Sequence, residues 1–218
     1  LSVMTDPANC GPVCLAFCQD VQAEAYDYPE AFFEPKIWHV RRPEPDRREV
    51  EQVTDLIRGA KNPIIIAGGG VIYSGAEQVL GDFAIRHGIP VSETQAGKSA
   101  LAQSHAMNFG AAGVDGAASA NEISENADLV IGVGTRLQDF TTGSRTLFKN
   151  PDVKIISLNI HGYDAAKHRS VSLVGDAKVT LEALSKTLGD YRADQFDMAA
   201  RAGWLAAVDA HCAAPKDT

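Results

Sequence analysis

Glycine-rich turns that follow apolar runs are the feature of this sequence with the clearest chemical potential. They occur at residues 68–70, 97–98, 110–116 and 134–136. Glycine lets backbone N–H groups approach an anion closely, and the start of a helix adds a favourable dipole. One interpretation is a groove for a nucleotide or diphosphate, with Arg136 or Lys98 as the counter-charge. The other is that crossovers between parallel strands need tight turns whether or not a ligand binds.

A bound nucleotide would use a defined set of these residues. The predicted contacts are Gly69, Gly70, Gly113, Gly134 and Arg136. The first turn does not complete a dinucleotide fingerprint, because Tyr73 occupies the position of its third glycine. The sequence Gly97-Lys98-Ser99 lacks the earlier glycine of a phosphate-binding P-loop. FAD or ADP in this domain therefore stays open beside the tight-turn interpretation.

Three further groups of polar residues have more than one interpretation. Arg136 with Asp139 indicates either a ligand contact or a salt bridge to a neighbouring domain. His161, Asp164 and His168 are close in sequence, but no glutamate completes a zinc-binding His-Glu-x-x-His pattern, so we predict a polar loop and no metal site. The cysteines are Cys10, Cys14, Cys18 and Cys212. They form no Cys-x-x-Cys pair, which favours small thiols in a reducing cytoplasm over a metal site.

The glycine turns lie between segments that alternate between strand and helix. Apolar runs predict strands at residues 63–67, 89–94, 128–133, 154–160 and 171–174. Capping boxes predict helices that begin at Asp46 with Glu49 and at Ser74 with Glu77. A third helix is predicted over residues 116–126, and a fourth begins at Asp176. Gly88 and Gly189 are predicted to end two of these helices.

This alternation predicts an α/β fold. We expect a doubly wound, mostly parallel six-stranded sheet with helices on both faces, Rossmann-like and of the DHS-like NAD/FAD-binding type. Outside it, residues 13–17 predict a buried strand. Residues 26–45 hold four of the ten prolines and predict an extended connector, with a further candidate strand at residues 37–40. An amphipathic helix is expected over residues 194–212.

The composition argues against several classes of function. The chain of 218 residues has a net charge of −8, with 45% hydrophobic and 22% charged residues. An acidic surface repels phosphate backbones and anionic lipid, so we expect no nucleic-acid partner and no membrane partner. The longest apolar run is far shorter than the roughly 20 residues that span a bilayer. We expect a cytoplasmic protein, and the opening Leu1 suggests part of a longer polypeptide.

Four stretches resemble thiamine-diphosphate enzymes of the acetolactate synthase superfamily. They are residues 11–22, 60–71 and 127–136 and the strand that ends at residues 158–160. In those enzymes the first motif closes the N-terminal, pyrimidine-binding domain, and the rest forms the central domain. The resemblance implies that residues 1–35 are the tail of the preceding domain and a linker. It further implies a central α/β domain over residues 36–190 and a linker helix toward a C-terminal domain over residues 191–218.

Three strings are similar to the trihydroxycyclohexane-1,2-dione hydrolases of myo-inositol catabolism. They are residues 19–30, 93–98 and 134–144. Acetolactate synthases usually carry a second arginine four residues after the one that matches Arg136, where it meets the carboxylate of a keto acid. This chain has Phe140 there, which is consistent with a cyclic dione that lacks a carboxylate. Lys98, Asp139 and Phe140 are the predicted residues of the substrate cleft.

The resemblance also implies a parent enzyme that opens the ring of 3,5/4-trihydroxycyclohexane-1,2-dione by C–C hydrolysis. Thiamine diphosphate and Mg²⁺ would be held by its N- and C-terminal domains. The Gly-Asp-Gly motif for the metal is missing here, because Asp82, Asp176 and Asp190 each precede a non-glycine residue. We therefore expect no catalytic residue in this chain and no turnover by it alone. Expected partners are the cyclic dione, the flanking domains and further copies in a homodimer or homotetramer.

Two alternatives to the dione hydrolase remain at this point. One is the central domain of an acetolactate synthase-type carboligase. The other is a module that binds FAD or another adenine nucleotide. An NAD-dependent deacylase of related fold is disfavoured, because the sequence lacks the Gly-Ala-Gly start and the zinc cysteines of that family.

Overall fold

The chain divides into two units, Leu1–Arg42 and Pro43–Thr218, in a computed structural model. The structure describes residues 1–193 together with residues 202, 203 and 206. Apart from those three positions, the linker helix predicted over residues 194–212 lies outside the described residues.

The first unit contains only short helical segments. They are α1 (Ser2–Thr5), α2 (Gln19–Gln22) and a 3₁₀ turn at Glu30–Phe32. The buried strand predicted at residues 13–17 is wrong, because these residues form no strand and their side chains are exposed. The candidate strand at residues 37–40 is wrong for the same reason. A strand is held by hydrogen bonds to a neighbouring strand, and no strand lies within the described residues 1–42.

The second unit is built on a six-stranded parallel sheet. Its strands are β1 (Pro63–Ala67), β2 (Val91–Glu93), β3 (Asn108–Ala111), β4 (Leu129–Val133), β5 (Lys154–Asn159) and β6 (Val171–Val174). Their order is β3-β2-β1-β4-β5-β6, and every neighbouring pair is parallel. This confirms the predicted doubly wound, Rossmann-like sheet. The central strands β1 and β4 are buried along their whole length, as expected for strands covered on both faces.

Helices cover both faces of this sheet. They are α3 (Arg47–Gly59), α4 (Gly69–Ser74), α5 (Glu77–His87), α6 (Ala118–Glu125), α7 (Asp139–Thr142), α8 (Gly162–Ala165) and α9 (Ala177–Leu188). The larger core packs α3, α5 and α9 on the face that carries Ile65 and Ile131. The smaller core lies on the other face, against Ile64, Ile66 and Val130, with Ile123 of α6 at its border. Across the described residues, no helix is both long and apolar enough to cross a membrane.

Helix caps show which local predictions succeed. Asp46 caps α3 through a bond from the Arg48 N–H, and Gly88 follows the end of α5, both as predicted. Glu49, the second residue of the predicted capping box, instead accepts the N–H of Val174 on β6, at 2.8 Å. The predicted box of Ser74 and Glu77 is wrong. The cap residue of α5 is Ala76, and the Ser74 hydroxyl donates to Asp176.

A buried histidine ties the end of α5 to the segment that follows α9. His87 is fully buried, its Nδ1 lies 2.7 Å from the Tyr191 carbonyl and its Nε2 lies 3.1 Å from the Ser185 hydroxyl. Because the carbonyl can only accept, we assign the proton to Nδ1, which leaves Nε2 to accept from Ser185. Burial lowers the pKa of His87 below its usual value, although the bond to Tyr191 opposes this change.

The lowered pKa of His87 predicts acid sensitivity of the fold. The unfolded chain binds a proton at His87 near pH 6.5, whereas the folded chain binds it only at lower pH. The contribution of neutral His87 is therefore complete above pH ~6.5 and is lost as the pH falls from there toward the folded pKa. We expect the urea midpoint to fall more steeply between pH 7.5 and 5.5 in the wild type than in His87→Gln. The exposed His39→Gln serves as control, and equal slopes in all three proteins would refute the assignment.

Candidate functional site

The predicted glycine turns all lie at one edge of the sheet. Each turn follows or ends one strand. Residues 68–70 follow β1, 97–98 follow β2, 110–116 end β3 and 134–136 follow β4. Because the strands are parallel, their carboxyl ends share this edge. Open parallel sheets bind ligands there, and most often where the strand order reverses. In this sheet the reversal falls between β1 and β4.

The glycine loops at the reversal point pack directly on one another. The N–H of Gly70 donates to the Gly134 carbonyl at 3.0 Å, and the N–H of Gly68 donates to the Val133 carbonyl at 2.8 Å. The Gly134 N–H donates to the Leu158 carbonyl at 2.9 Å. A Cβ added at Gly70 would lie only 2.6 Å from the Gly134 Cα. These N–H groups thus bind protein carbonyls, and close packing explains the glycines without an anion.

Gly113 has a similar role on the β3 side. Its φ is +116°, its N–H donates to the Asn121 side chain at 3.0 Å, and a Cβ would lie 2.2 Å from the Phe140 carbonyl. The same carbonyl accepts from the Val114 N–H at 2.9 Å. The loop of residues 110–116 is therefore joined to the first turn of α7. This junction places Phe140 beside the end of β3.

Arg136 belongs to a cluster of charged residues beyond β4 and β5. Its Nε lies 3.7 Å from an oxygen of Asp164, which also forms an ion pair with Lys167. The Arg136 carbonyl lies 3.3 Å from Nε2 of His168. The side chain is 60% exposed, so the ion pair contributes about 1 kcal/mol or less to stability. Asp139, the predicted companion of Arg136, begins α7 and is exposed.

The described residues offer no evident metal site. Within residues 1–193, no group of three or more His, Cys, Asp or Glu side chains could hold a metal ion. His161, Asp164 and His168 lie in the polar segment around α8, where Asp164 is engaged by the cations described above. Three cysteines, Cys10, Cys14 and Cys18, are exposed free thiols, and Cys212 lies outside the described residues.

The Gly-Asp pairs of this domain do not fit Mg²⁺ and a diphosphate. Asp82 lies inside α5, Asp176 is the buried cap of α9, and Asp190 lies 3.9 Å from Arg86 in an exposed ion pair. A diphosphate site requires such an aspartate to face an open loop together with further oxygen ligands.

An open cleft of about 520 Å³ lies at the carboxyl ends of β2 and β3. Its lining residues are Glu93, Thr94, Gln95, Lys98, Ser99, Leu101, Gln103, Asn108, Gly110, Ala111, Ala112, Asp115, Phe140 and Thr141. Two of the three predicted cleft residues, Lys98 and Phe140, line it. Asp139 is adjacent in sequence to Phe140 but does not belong to the lining.

The cleft wall combines hydrogen-bonding groups with one apolar ring. Among the described lining residues, Lys98 is the one cation, Glu93 and Asp115 are the carboxylates, and the remaining polar groups are amides and hydroxyls. The Phe140 side chain is 71% exposed, so its ring is open to a ligand. Pockets of this kind fix a ligand through a few polar groups and cover the rest with apolar surface. Such a wall can hydrogen-bond a small polar ligand and cover one apolar face of it.

Glu93 is one of the cleft residues that sequence reasoning missed. It is the last residue of β2, is only 7% exposed and accepts the Leu101 N–H at 2.9 Å. Burial raises the pKa of Glu93 above its usual value, while bonds from the Leu101 and Ser99 N–H groups oppose that rise. The available signal was an acidic residue within a predicted buried strand, where a carboxylate must have partners.

Comparison with known families identifies the domain type. Residues 50–184, more than half of the chain, match the family model described as thiamine pyrophosphate enzyme, central domain. The match extends from α3 into α9 and so includes the whole sheet.

Curated relatives give a narrower similarity. A protein of Clostridium perfringens named 3D-(3,5/4)-trihydroxycyclohexane-1,2-dione hydrolase is 50% identical over 188 residues, which is 86% of this chain and 29% of that protein. A protein of the same name from Geobacillus thermodenitrificans is 44% identical over 88% of this chain and 30% of its own length. The chain thus spans less than a third of these relatives.

A solved structure shares the fold. It is described as a thiamin diphosphate-dependent enzyme from Mycobacterium smegmatis, and it aligns with a TM-score of 0.59 at 22% identity. The alignment covers 74% of this chain and 31% of that chain. At this identity the likeness concerns the architecture alone.

Proposed function

The chain belongs to the family of thiamine pyrophosphate enzyme central domains, and on that premise we propose that it serves a hydrolase that cleaves a C–C bond of a cyclic 1,2-dione. The proposed substrate is 3,5/4-trihydroxycyclohexane-1,2-dione, an intermediate of myo-inositol degradation. The observation that carries this proposal is the 50% identity to a relative named for that reaction. Acetolactate synthase-type carboligation is the rival activity.

The cleft beyond β2 and β3 supports the proposed substrate class. A trihydroxylated ring with two carbonyls is neutral and presents hydrogen-bonding groups around its rim. Lys98, Gln95 and Gln103 can donate to its oxygens, and Asp115 can accept from its hydroxyls. The Phe140 ring offers apolar contact at the position where acetolactate synthases, by the resemblance, carry an arginine for a keto-acid carboxylate, so Lys98 is the one cation left among the described lining residues. The proposed role of this domain is therefore to bind and orient the ring.

The reactive chemistry lies outside this domain in the proposal. Thiamine diphosphate supplies an electron sink for C–C cleavage when it is bound, and the described residues of this domain do not fit it. We infer that flanking domains hold the cofactor with Mg²⁺, that the parent assembles as a dimer or tetramer, and that this chain alone does not turn over. The exposed free thiols Cys10, Cys14 and Cys18 suit the reducing cytoplasm.

Within the part of the chain that the structure describes, most of the groups predicted to bind FAD or ADP already have protein partners. The contacts proposed for a nucleotide were Gly69, Gly70, Gly113, Gly134 and Arg136. Three of these glycines donate their N–H groups to protein oxygens, and Arg136 is ion-paired with Asp164. A bound nucleotide would therefore have to displace existing contacts or use other residues.

The direct test is an assay of the full-length protein that contains this chain, supplied with thiamine diphosphate and Mg²⁺. We expect it to consume the cyclic dione and release a ring-opened acid, and to form little or no acetolactate from pyruvate. Rapid acetolactate formation without ring opening would replace the proposal by the carboligase. The isolated 218-residue chain serves as a control, and we expect it to be inactive on both substrates.

Phe140→Arg in the full-length protein should separate the two substrate classes. A cation in place of the ring removes apolar contact and remains unpaired when a neutral ring binds. We expect kcat/KM for the cyclic dione to fall about 30-fold, or ~2 kcal/mol. Phe140→Leu keeps the apolar character and should lose about threefold or less. Equal kcat/KM in Phe140→Arg and the wild type would show that the ring does not face the substrate.

A further inference from the structure

One wall of the cleft consists of irregular backbone in an unfavourable conformation. Lys98 and Ser99 line the cleft and are exposed, and they follow the 3₁₀ turn at Gln95–Gly97. Ser99 has a φ of +79°. A non-glycine residue in this region costs about 1 kcal/mol, so the surrounding structure must hold it.

Glu93 supplies the contacts that hold this wall. Its carboxylate accepts the backbone N–H of Leu101 at 2.9 Å and also that of Ser99. The Asn108 amide donates to the same carboxylate and, at 3.2 Å, to the Leu101 carbonyl. Hydrogen bonds to a carboxylate are roughly twice as strong as bonds between neutral groups. Two buried side chains, from β2 and β3, thus fix the strained segment.

The bonds of Glu93 act only on the part of the segment that faces the cleft. The preceding turn has its own support, because the Thr94 hydroxyl accepts the Gly97 N–H at 3.0 Å. Thr94 is in turn joined to β1 through its N–H and the Ala67 carbonyl, at 2.9 Å. Loss of the Glu93 carboxylate would therefore release Ser99 and Leu101 while the turn stays in place.

From this geometry we propose that Glu93 is a positioning residue, whose carboxylate holds residues 98–101 so that Lys98 and Ser99 meet the substrate. The proposal rests on the proposed function for the identity of the ligand. The contacts by which Glu93 holds Ser99 and Leu101, here called the Glu93 clip, do not depend on that identity. Glu93 acts through the wall and is not proposed to contact the reacting atoms.

Because the proposal depends on the negative charge of Glu93, it predicts a specific dependence on pH. The raised pKa means that Glu93 takes up a proton at a higher pH than an ordinary glutamate as the solution is acidified. A protonated carboxyl accepts fewer hydrogen bonds, so the wall loosens on the acid side. The other charged groups of the cleft are Lys98 and Asp115. His105 lies on the connection to β3, where its Nδ1 accepts the Met107 N–H.

The test compares Glu93→Gln with the wild type in the full-length protein. The glutamine amide has the same size as the glutamate carboxylate, but it has only one accepting oxygen and carries no charge. We expect the KM for the cyclic dione to rise about tenfold, or ~1.4 kcal/mol, with kcat within about threefold. We also expect the acid-side rise of KM in the wild type to disappear in the variant. Glu122→Gln, an exposed glutamate of α6, is the matched control.

Hydrogen exchange makes the result independent of turnover. We expect the Ser99 and Leu101 amides to exchange faster in Glu93→Gln than in the wild type, with the amides of β1 unchanged.

If Glu93→Gln does not fold, Glu93→Asp replaces it in the test. Aspartate keeps the charge, so we expect a smaller rise in KM and a smaller rise in the exchange rates of Ser99 and Leu101. Unchanged exchange at Ser99 and Leu101 overturns the clip. If the Ser99 and Leu101 amides exchange faster in Glu93→Gln but the full-length wild type is inactive on the dione, the Glu93 clip is supported and the proposed function is refuted. Faster exchange with unchanged KM refutes the positioning role.

Discussion

Asp176→Ala is expected to lower the free energy of unfolding of the chain by about 3 kcal/mol. Asp176 is buried, and its side chain caps α9 by accepting the N–H groups of Lys178 and Val179 at 3.0 and 3.4 Å. The same carboxylate accepts from the Ser74 hydroxyl at 2.7 Å, which joins α4 to α9. Alanine would remove the cap and take an acceptor from a buried hydroxyl. Urea unfolding followed by circular dichroism measures the change.

Asp176→Asn is the matched control for this substitution. Asparagine is as good a cap residue as aspartate and keeps one oxygen for the N–H groups and for Ser74. We expect it to lose only about 1 kcal/mol. A loss of less than ~1 kcal/mol in Asp176→Ala would mean that the network between α4 and α9 contributes little to the fold.

Gly134→Ala should also destabilise the chain by about 3 kcal/mol, because the glycine loops of β1 and β4 touch. Gly134 has a φ of +60°, and a Cβ there would lie 2.6 Å from the Gly70 Cα. The backbone conformation alone costs an alanine about 1 kcal/mol, and separating two backbones adds roughly 1–3 kcal/mol. The same urea unfolding experiment reports the loss.

Gly59→Ala is the control for the effect of adding a methyl group. Gly59 ends α3, and a Cβ there would meet nothing within 4 Å. Alanine in a helix is favoured over glycine, so we expect a gain of about 0.5 kcal/mol. If Gly134→Ala were as stable as Gly59→Ala, the two loops could not be in contact, and room for a ligand would exist between β1 and β4.

The parts of the fold that sequence predicts well depend on local signals. Each predicted strand of the second unit is present, because runs such as residues 63–67 and 129–133 can only be buried. Asp46 and Asp176 cap helices because a short acidic side chain reaches the N–H groups of the next turn. β3 was not named as a strand, since Asn108–Ala111 is short and half of its residues are polar or glycine.

The errors arise where a side chain finds a distant partner. Ser74 has the spacing of a helix cap, but its hydroxyl bonds to Asp176, 102 positions away. Glu49 likewise leaves its predicted capping box to accept the N–H of Val174, 125 positions away. The capping box describes one helix end in isolation, and a buried acceptor from another element competes with it.

The candidate site was predictable only in part. Lys98 and Phe140 were predicted as cleft residues, and both line the cleft, while their contact with a substrate stays a prediction. Asn108 and Asp115 were missed. They reach the cleft only because the chain folds along residues 98–108 and 110–116, and no local sequence pattern predicts that path. The predicted importance of the glycines followed from a general rule about anions. In this fold Gly70 and Gly134 use their N–H groups within the protein.

The most direct measurement is a crystal structure of the full-length protein with thiamine diphosphate and an unreactive cyclic polyol analogue of the dione. The account predicts that the analogue lies in the cleft beyond β2 and β3, with Lys98 within hydrogen-bonding distance and the Phe140 ring against its carbon face. An analogue bound at another edge of this domain, or a flavin or nucleotide filling the cleft, would contradict it.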